Sequence, residues 1–234
     1  MLKEISAAKV FSSTAVTAQG GGEHPLGTER SDSNGRKFRY VLVGATALVV
    51  GNVIQAAAQQ ADHQDRTPVA AAIGDEELTI SLGATAITAQ DYADGVAVID
   101  TTPGLGYSYP IAGHPAADAS ATAFTVQLKR GWAVEVALTT ISRVSLYRNR
   151  YRGVIQTPVT TLTNVPVGVA VYPITAAQYG WVGTHGEFGT LIQGTPGVGL
   201  EVGPPATAAG AVAINSSTNP IVGKMMDTGQ DGKV

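Results

Sequence analysis

The stretch from Gly183 to Gly194, GTHGEFGTLIQG, carries the residue types of a chemical site. Gly183, Gly186 and Gly189 recur every third position, as in a loop that cradles phosphate, and His185 and Glu187 sit between them like the start of a metal or acid–base site. A phosphate loop needs a Gly-Lys-Ser/Thr ending that opens a helix, so that amides converge on the anion. Here Thr190-Leu191-Ile192 follows, which reads as a strand. The glycines are therefore expected to punctuate a hairpin between Trp181-Val182 and Thr190-Leu191-Ile192. Two positions apart, His185 and Glu187 would share one face of a strand. No His-x-His, His-x-x-x-His or Asp-x-Asp completes a shell, and His24, His63 and His114 lie in loop-like Gly/Pro/Asp contexts. The expectation is a loop-tip contact at His185 and Glu187, with no metal and no cofactor.

The densest charge feature is YRNRYRG, Tyr147 to Gly153. On a strand, Arg148, Arg150 and Arg152 would point the same way and form a positive stripe. Such a stripe suits phosphate, an acidic protein surface paired through the planar guanidinium fork, or a solvated edge strand guarded by charge. Nucleophilic catalysis finds no support, because there is no Gly-x-Ser-x-Gly elbow and no cysteine. The acidic run Asp75-Glu76-Glu77 reads as a solvated turn before a strand. No enzyme is expected.

The elements that must hold these residues are β-strands. Ala, Val, Thr and Gly dominate the 234 residues, charged residues make up 14% and aromatics 6%, the profile of short strands joined by many turns. Without cysteine, stability must come from packing or association. Alternation is visible in Leu78-Thr79-Ile80-Ser81-Leu82 and in Phe124-Thr125-Val126-Gln127-Leu128, each with one apolar face. From Lys37 onward, turn signals at short intervals predict an all-β sandwich or barrel with little helix. Two single helical turns are expected, ITAQDY at Ile87–Tyr92 and ITAAQY at Ile174–Tyr179, which echo each other with capping-box spacing. Tyr40 to Ala58 approaches transmembrane length, but Gly44, Gly51, Asn52 and Gln55 interrupt it, and it reads as two buried strands.

Four segments are expected: a flexible arm over 1–36, a β-rich main domain over 37–156, a Pro/Thr-rich linker over 157–167, and a small glycine-rich barrel-like module over 168–234. Residues 1–39 carry net charge +2, residues 40–142 carry −7 and residues 143–234 carry +2. Neither basic flank has the dense Lys/Arg face with aromatics that nucleic-acid binding needs. No membrane partner is expected either.

Three blocks, GRKFRYVLVGATALVVGNVIQAAA, GVAVIDTTPGLGYSYPIAGHPAA, and YGWVGTHGEFGTLIQG with GAVAI and PIVGKMMDTGQDG, resemble virion structural proteins of tailed bacteriophages, in particular capsid decoration (cement) proteins. The resemblance covers most of the chain from Arg36 and rests on glycine and strand patterns. It implies a protein on the outer face of an expanded head that bridges adjacent major capsid protein subunits. It further implies association with neighbouring copies as dimers or trimers, with the arm's base at Arg36, Lys37 and Arg39 as an anchor. The alternative is a tail-fibre or receptor-binding β module.

Overall fold

The computed structural model describes residues 4–15, 22–159, 162–204, 207–215 and 219–234. It is nearly all β, as the sequence leads one to expect. In chain order the elements are helix α1 (Ala7–Val10) and strands β1 (Ser13–Ala15), β2 (Glu29–Ser31), β3 (Lys37–Val43), β4 (Val53–Gln55), β5 (Glu77–Ile80), β6 (Val96–Ile99), β7 (Ser108–Gly113) and β8 (Phe124–Leu128). They continue with β9 (Val144–Tyr147), β10 (Arg152–Gln156), β11 (Pro166–Ala170), β12 (Gln178–His185), β13 (Glu201–Gly203), β14 (Ala213–Ile214) and β15 (Gly223–Lys224).

The chain divides otherwise than its composition suggests. One unit joins residues 1–58 to 150–234, and the other is the insertion 59–149. The expected main domain of 37–156 is thus split, and the expected linker of 157–167 runs into β11, which pairs with β4. The reason is long-range pairing: β3 lies between β10 and β12, so strands far apart in sequence share one barrel.

In the first unit, β12, β11, β4, β10 and β3 follow one another, and β12 also pairs with β3, which closes a five-stranded barrel without free edges. Valines 41, 43, 154 and 182 fill it with Leu48, Ile54 and Ile174. Strand β3 alternates with period two between two cores. Val41 and Val43 face the barrel interior, while Phe38, Tyr40 and Leu42 face a second cluster with Tyr179 and Trp181 of β12. Ile5 and Val10, from the segment expected to be a flexible arm, are buried in that second cluster. The arm's described residues are therefore ordered on the chain's own barrel, with β1 paired to β12 and β2 to β3. Leu2, which with Ile5 and Phe11 gives the start of this segment the spacing of a short amphipathic turn, lies outside the described residues. A three-stranded sheet, β14-β13-β15, packs Val202 against Val53 and Val212 in the same unit.

The second unit is a sheet in the order β5-β8-β7-β6-β9. Its two edges are joined by residues 66–71: Arg66 bridges Val144 of β9, and Pro68 bridges Ile80 of β5. The result is another small closed barrel, filled by Leu78, Ile80, Tyr109, Ile111, Phe124, Val126 and their neighbours.

The two echoed segments are β-turns, not helical turns, and the same corner occurs six times among the described residues. An aliphatic residue makes an isolated bridge, and the amide four positions on donates to the carbonyl one position on. This holds for Asn52 to Val49, Asp75 to Ala72, Asp91 to Thr88, Ala121 to Asp118, Ser142 to Thr139 and Gln178 to Thr175, at 3.0–3.3 Å. The bridges pair the corners as Leu48 with Ile174, Ala71 with Leu138, and Ile87 with Ala117. The spacing shared with a capping box is that of a closed four-residue turn between strands.

Candidate functional site

The GTHGEFG stretch is only partly a turn. Gly183 and His185 belong to β12, where His185 lies opposite Lys37 at the start of β3. Gly183 is there for space: a Cβ on it would sit 2.5 Å from the Phe188 ring. Gly186, at φ +107°, is the residue that ends the strand. Its α-carbon backs onto Arg36, whose Nε donates to Asp32 at 2.7 Å and whose guanidinium stands 5.7 Å from the Phe38 ring and 5.8 Å from that of Phe188. Desolvation pushes the Asp32 carboxyl up, but hydrogen bonds from the Arg36 side chain and amide and from the Asn34 amide hold it below the usual carboxylate range.

Lys37 and Arg39 converge on Glu29 of β2. Lys37 reaches it at 3.4 Å, and Arg39 also donates to the Gly27 carbonyl at 2.8 Å and lies 5.7 Å from the Tyr151 ring. Arg36, Lys37, Arg39, His185 and Glu187 are thus brought together where β3 begins and β12 ends. The three cations are engaged by the chain's own carboxylates, while His185 and Glu187 are exposed. Beside them lies a cavity of about 730 Å³, within the ordinary size of a ligand site. Val167, Val169, Ile192, Val222 and Met225 give it apolar walls, and His185, Glu187 and Lys224 also line it. Among the described residues, no group of three or more His, Cys, Asp or Glu side chains is placed to hold a metal.

The arginine stripe does not form. Strand β9 ends at Tyr147 and β10 starts at Arg152, because the chain passes here from the second unit to the first and each strand takes the register of its own barrel. Arg148 turns to Asp91, with Nε at 3.0 Å and Nη2 at 2.5 Å, and lies 5.2 Å from the Tyr92 ring. Burial disfavours its charge, yet the hydrogen bond to Asp91 and the nearby charges outweigh that and hold its pKa above the usual arginine value. Arg150 is exposed in the turn, and Arg152 has a buried Nε without a hydrogen-bond partner among the described residues.

Arg148 belongs to a buried cluster that no sequence spacing announces. His63 Nε2 faces the Thr85 carbonyl at 3.0 Å and so must donate, which leaves Nδ1 to accept from the Tyr92 hydroxyl at 2.6 Å. His114 has the opposite tautomer: Nδ1 donates to the Pro115 carbonyl at 2.7 Å, and Nε2 accepts the Tyr92 amide at 2.8 Å. The two histidines read as loop residues are 1% and 3% exposed and act as core struts. Burial pushes the Tyr92 phenol up to about 12, with the nearby Arg148 charge opposing. His24 packs against Tyr40 and Trp181 in the first unit.

No protein-family model, curated protein or solved structure matches the chain. Among the described residues no helix is long and apolar enough to cross a membrane, and the apolar run from Tyr40 contributes to β3 and β4.

Proposed function

We propose that the chain is a structural protein of a tailed-phage virion that attaches to the outer face of the head and cements adjacent major capsid protein subunits. The observation that carries this reading is the use of its side chains. The cations and histidines that could serve chemistry largely support the two barrels, while large apolar side chains stand exposed on loops, among them Ile73, Leu105, Ile141, Ile221 and Met226 at 54–69%. Exposed apolar area on a rigid β scaffold is suited to adhesion. Many modest contacts repeated over a symmetric lattice hold tightly without any strong single one.

Trp132 and Tyr107, 49% and 43% exposed, favour a second reading, a fibre or receptor-binding module that stacks on glycans. The position and copy number of the protein in purified particles separate the two. Many copies spread over the head support cementing; a few copies confined to a vertex or the tail overturn it in favour of the fibre.

A further inference from the structure

Strand directions carry three loops of the second unit to one end of its barrel. There β5 begins and β8 ends, β6 ends and β7 begins, and β9 begins. The loops are therefore 72–76, 100–107 and 129–143. Their hydrogen bonds knit them together: Gly74 donates to the Val134 carbonyl at 2.8 Å, the Ser142 hydroxyl to the Pro103 carbonyl at 2.9 Å, and the Thr101 hydroxyl to the Ile141 carbonyl at 3.2 Å. Ile73, Leu105 and Ile141, at 68%, 62% and 69% exposure, project from this end together with Trp132 and Tyr107. None of the five is needed to fill the barrel core.

Charge frames the same end. Glu76, Glu77 and Glu135 are exposed there and enter no ion pair among the described residues. Of the nearby cations, Lys129 is paired with Asp94 at 2.7 Å and Arg143 lies 3.9 Å from Asp65, which leaves Arg130. Two copies meeting through this end would set carboxylates against carboxylates, a juxtaposition that disfavours a symmetric dimer. The surface complements an apolar recess rimmed by Lys and Arg on another protein.

We infer that the loop end 72–76, 100–107 and 129–143 is the surface that docks on the head lattice, with Ile73, Leu105 and Ile141 inserting into an apolar recess and Glu76, Glu77 and Glu135 meeting a basic rim. This inference rests on the cementing reading and names the face through which it works. Aliphatic tips at the centre supply the affinity, and the carboxylates steer the approach and set the register.

The test is cosedimentation of the full chain with tailed-phage heads lacking it. Wild type is compared with I73S/L105S/I141S, with E76K/E77K/E135K, and with I221S/M226S on the first unit as a control. Binding at least about tenfold weaker for the first two variants, with the control like wild type, is the expected result. The charge-reversed variant, whose sites are all exposed, keeps the test decisive should the apolar triple misfold. Wild type that binds while both variants bind equally well overturns the docking face but leaves the cementing reading intact. Wild type that fails to sediment with heads overturns the cementing reading and this partner with it. A wild-type dimer abolished by I73S/L105S/I141S would also overturn the inference, because the face would then serve self-association.

Discussion

Leu48 and Ile174 exchange both of their backbone hydrogen bonds, at 2.9 and 3.1 Å, although 126 positions separate them in sequence. Each is the bridging residue of a corner, each side chain is buried in the first barrel, and each corner leads into a strand, β4 and β12. Ala71 with Leu138 and Ile87 with Ala117 repeat the arrangement in the second barrel, again with both bonds made. One local device thus turns the chain at three places where distant segments must meet. Asn52, Asp75 and Ser142 reinforce it by accepting the amide that opens their turn, at 3.1, 2.7 and 3.3 Å.

Truncating a corner should therefore behave as a core deletion. Leu48→Ala and Ile174→Ala are each expected to cost about 2–5 kcal/mol in urea unfolding. Because the two residues share one bridge and one cavity, the double variant should cost less than the simple total. Strict additivity would show that the corners do not act as a pair.

The amino-terminal segment should matter for folding as well as for any attachment. Ile5 and Val10 pack on Phe38, Tyr40, Tyr179 and Trp181, so Ile5→Ala and Val10→Ala should each cost about 2 kcal/mol. Deletion of residues 1–35 removes β1 and β2 too and should uncover Trp181, read as a red shift of its fluorescence and binding of an apolar dye. Loss of head binding by that deletion would then report a damaged barrel, not a missing tether. An unshifted emission spectrum would return the segment to the role of a free arm.

How much of this was legible follows from the range of each signal. In β5 and β8 the period-two pattern predicts the face, and Leu78, Ile80, Phe124, Val126 and Leu128 are all buried as read. The pairing partners are not in any local window. Nothing in residues 66–71 marks them as the segment that closes a barrel, and the arginines of YRNRYRG alternate in sequence while belonging to two barrels. Of six corners, only the two with Ile-Thr-Ala announced themselves, since the others share a geometry and not a motif. His63 and His114 lie 29 and 22 residues from Tyr92 along the chain, and only the folded barrel brings both within hydrogen-bonding distance of it.

Glycine substitutions should separate packing from turning around the candidate site. A Cβ at Gly168 would lie 2.4 Å from the Gly183 carbonyl oxygen, a backbone atom that cannot yield without parting β11 from β12. At Gly183 the obstacle is the Phe188 ring, which can swing away at the expense of its contact with Arg36. Gly168→Ala should thus cost more than Gly183→Ala, about 3 kcal/mol against about 1 in chemical denaturation. The exposed pair His185→Ala with Glu187→Ala should stay within about 0.5 kcal/mol of wild type. The reverse ranking of the two glycines would mean that the close approach of β11 and β12 is not rigid.

The Tyr92 cluster gives the second barrel a pH dependence whose sign can be worked out. Its phenol is held protonated up to about 12 in the folded chain, against 10.0 for an unperturbed tyrosine. Between those values the folded state retains a proton that the unfolded chain has lost, so stability is complete below about pH 10 and falls as the pH rises through about 12. Tyr92→Phe removes this linkage. It also leaves His63 Nδ1 without its donor, at about 1–3 kcal/mol near neutral pH. Urea midpoints from pH 9 upward should therefore start lower for Tyr92→Phe and decline less steeply than for wild type. A parallel decline in the two proteins would mean that the phenol ionises as freely in the folded chain as in the unfolded one.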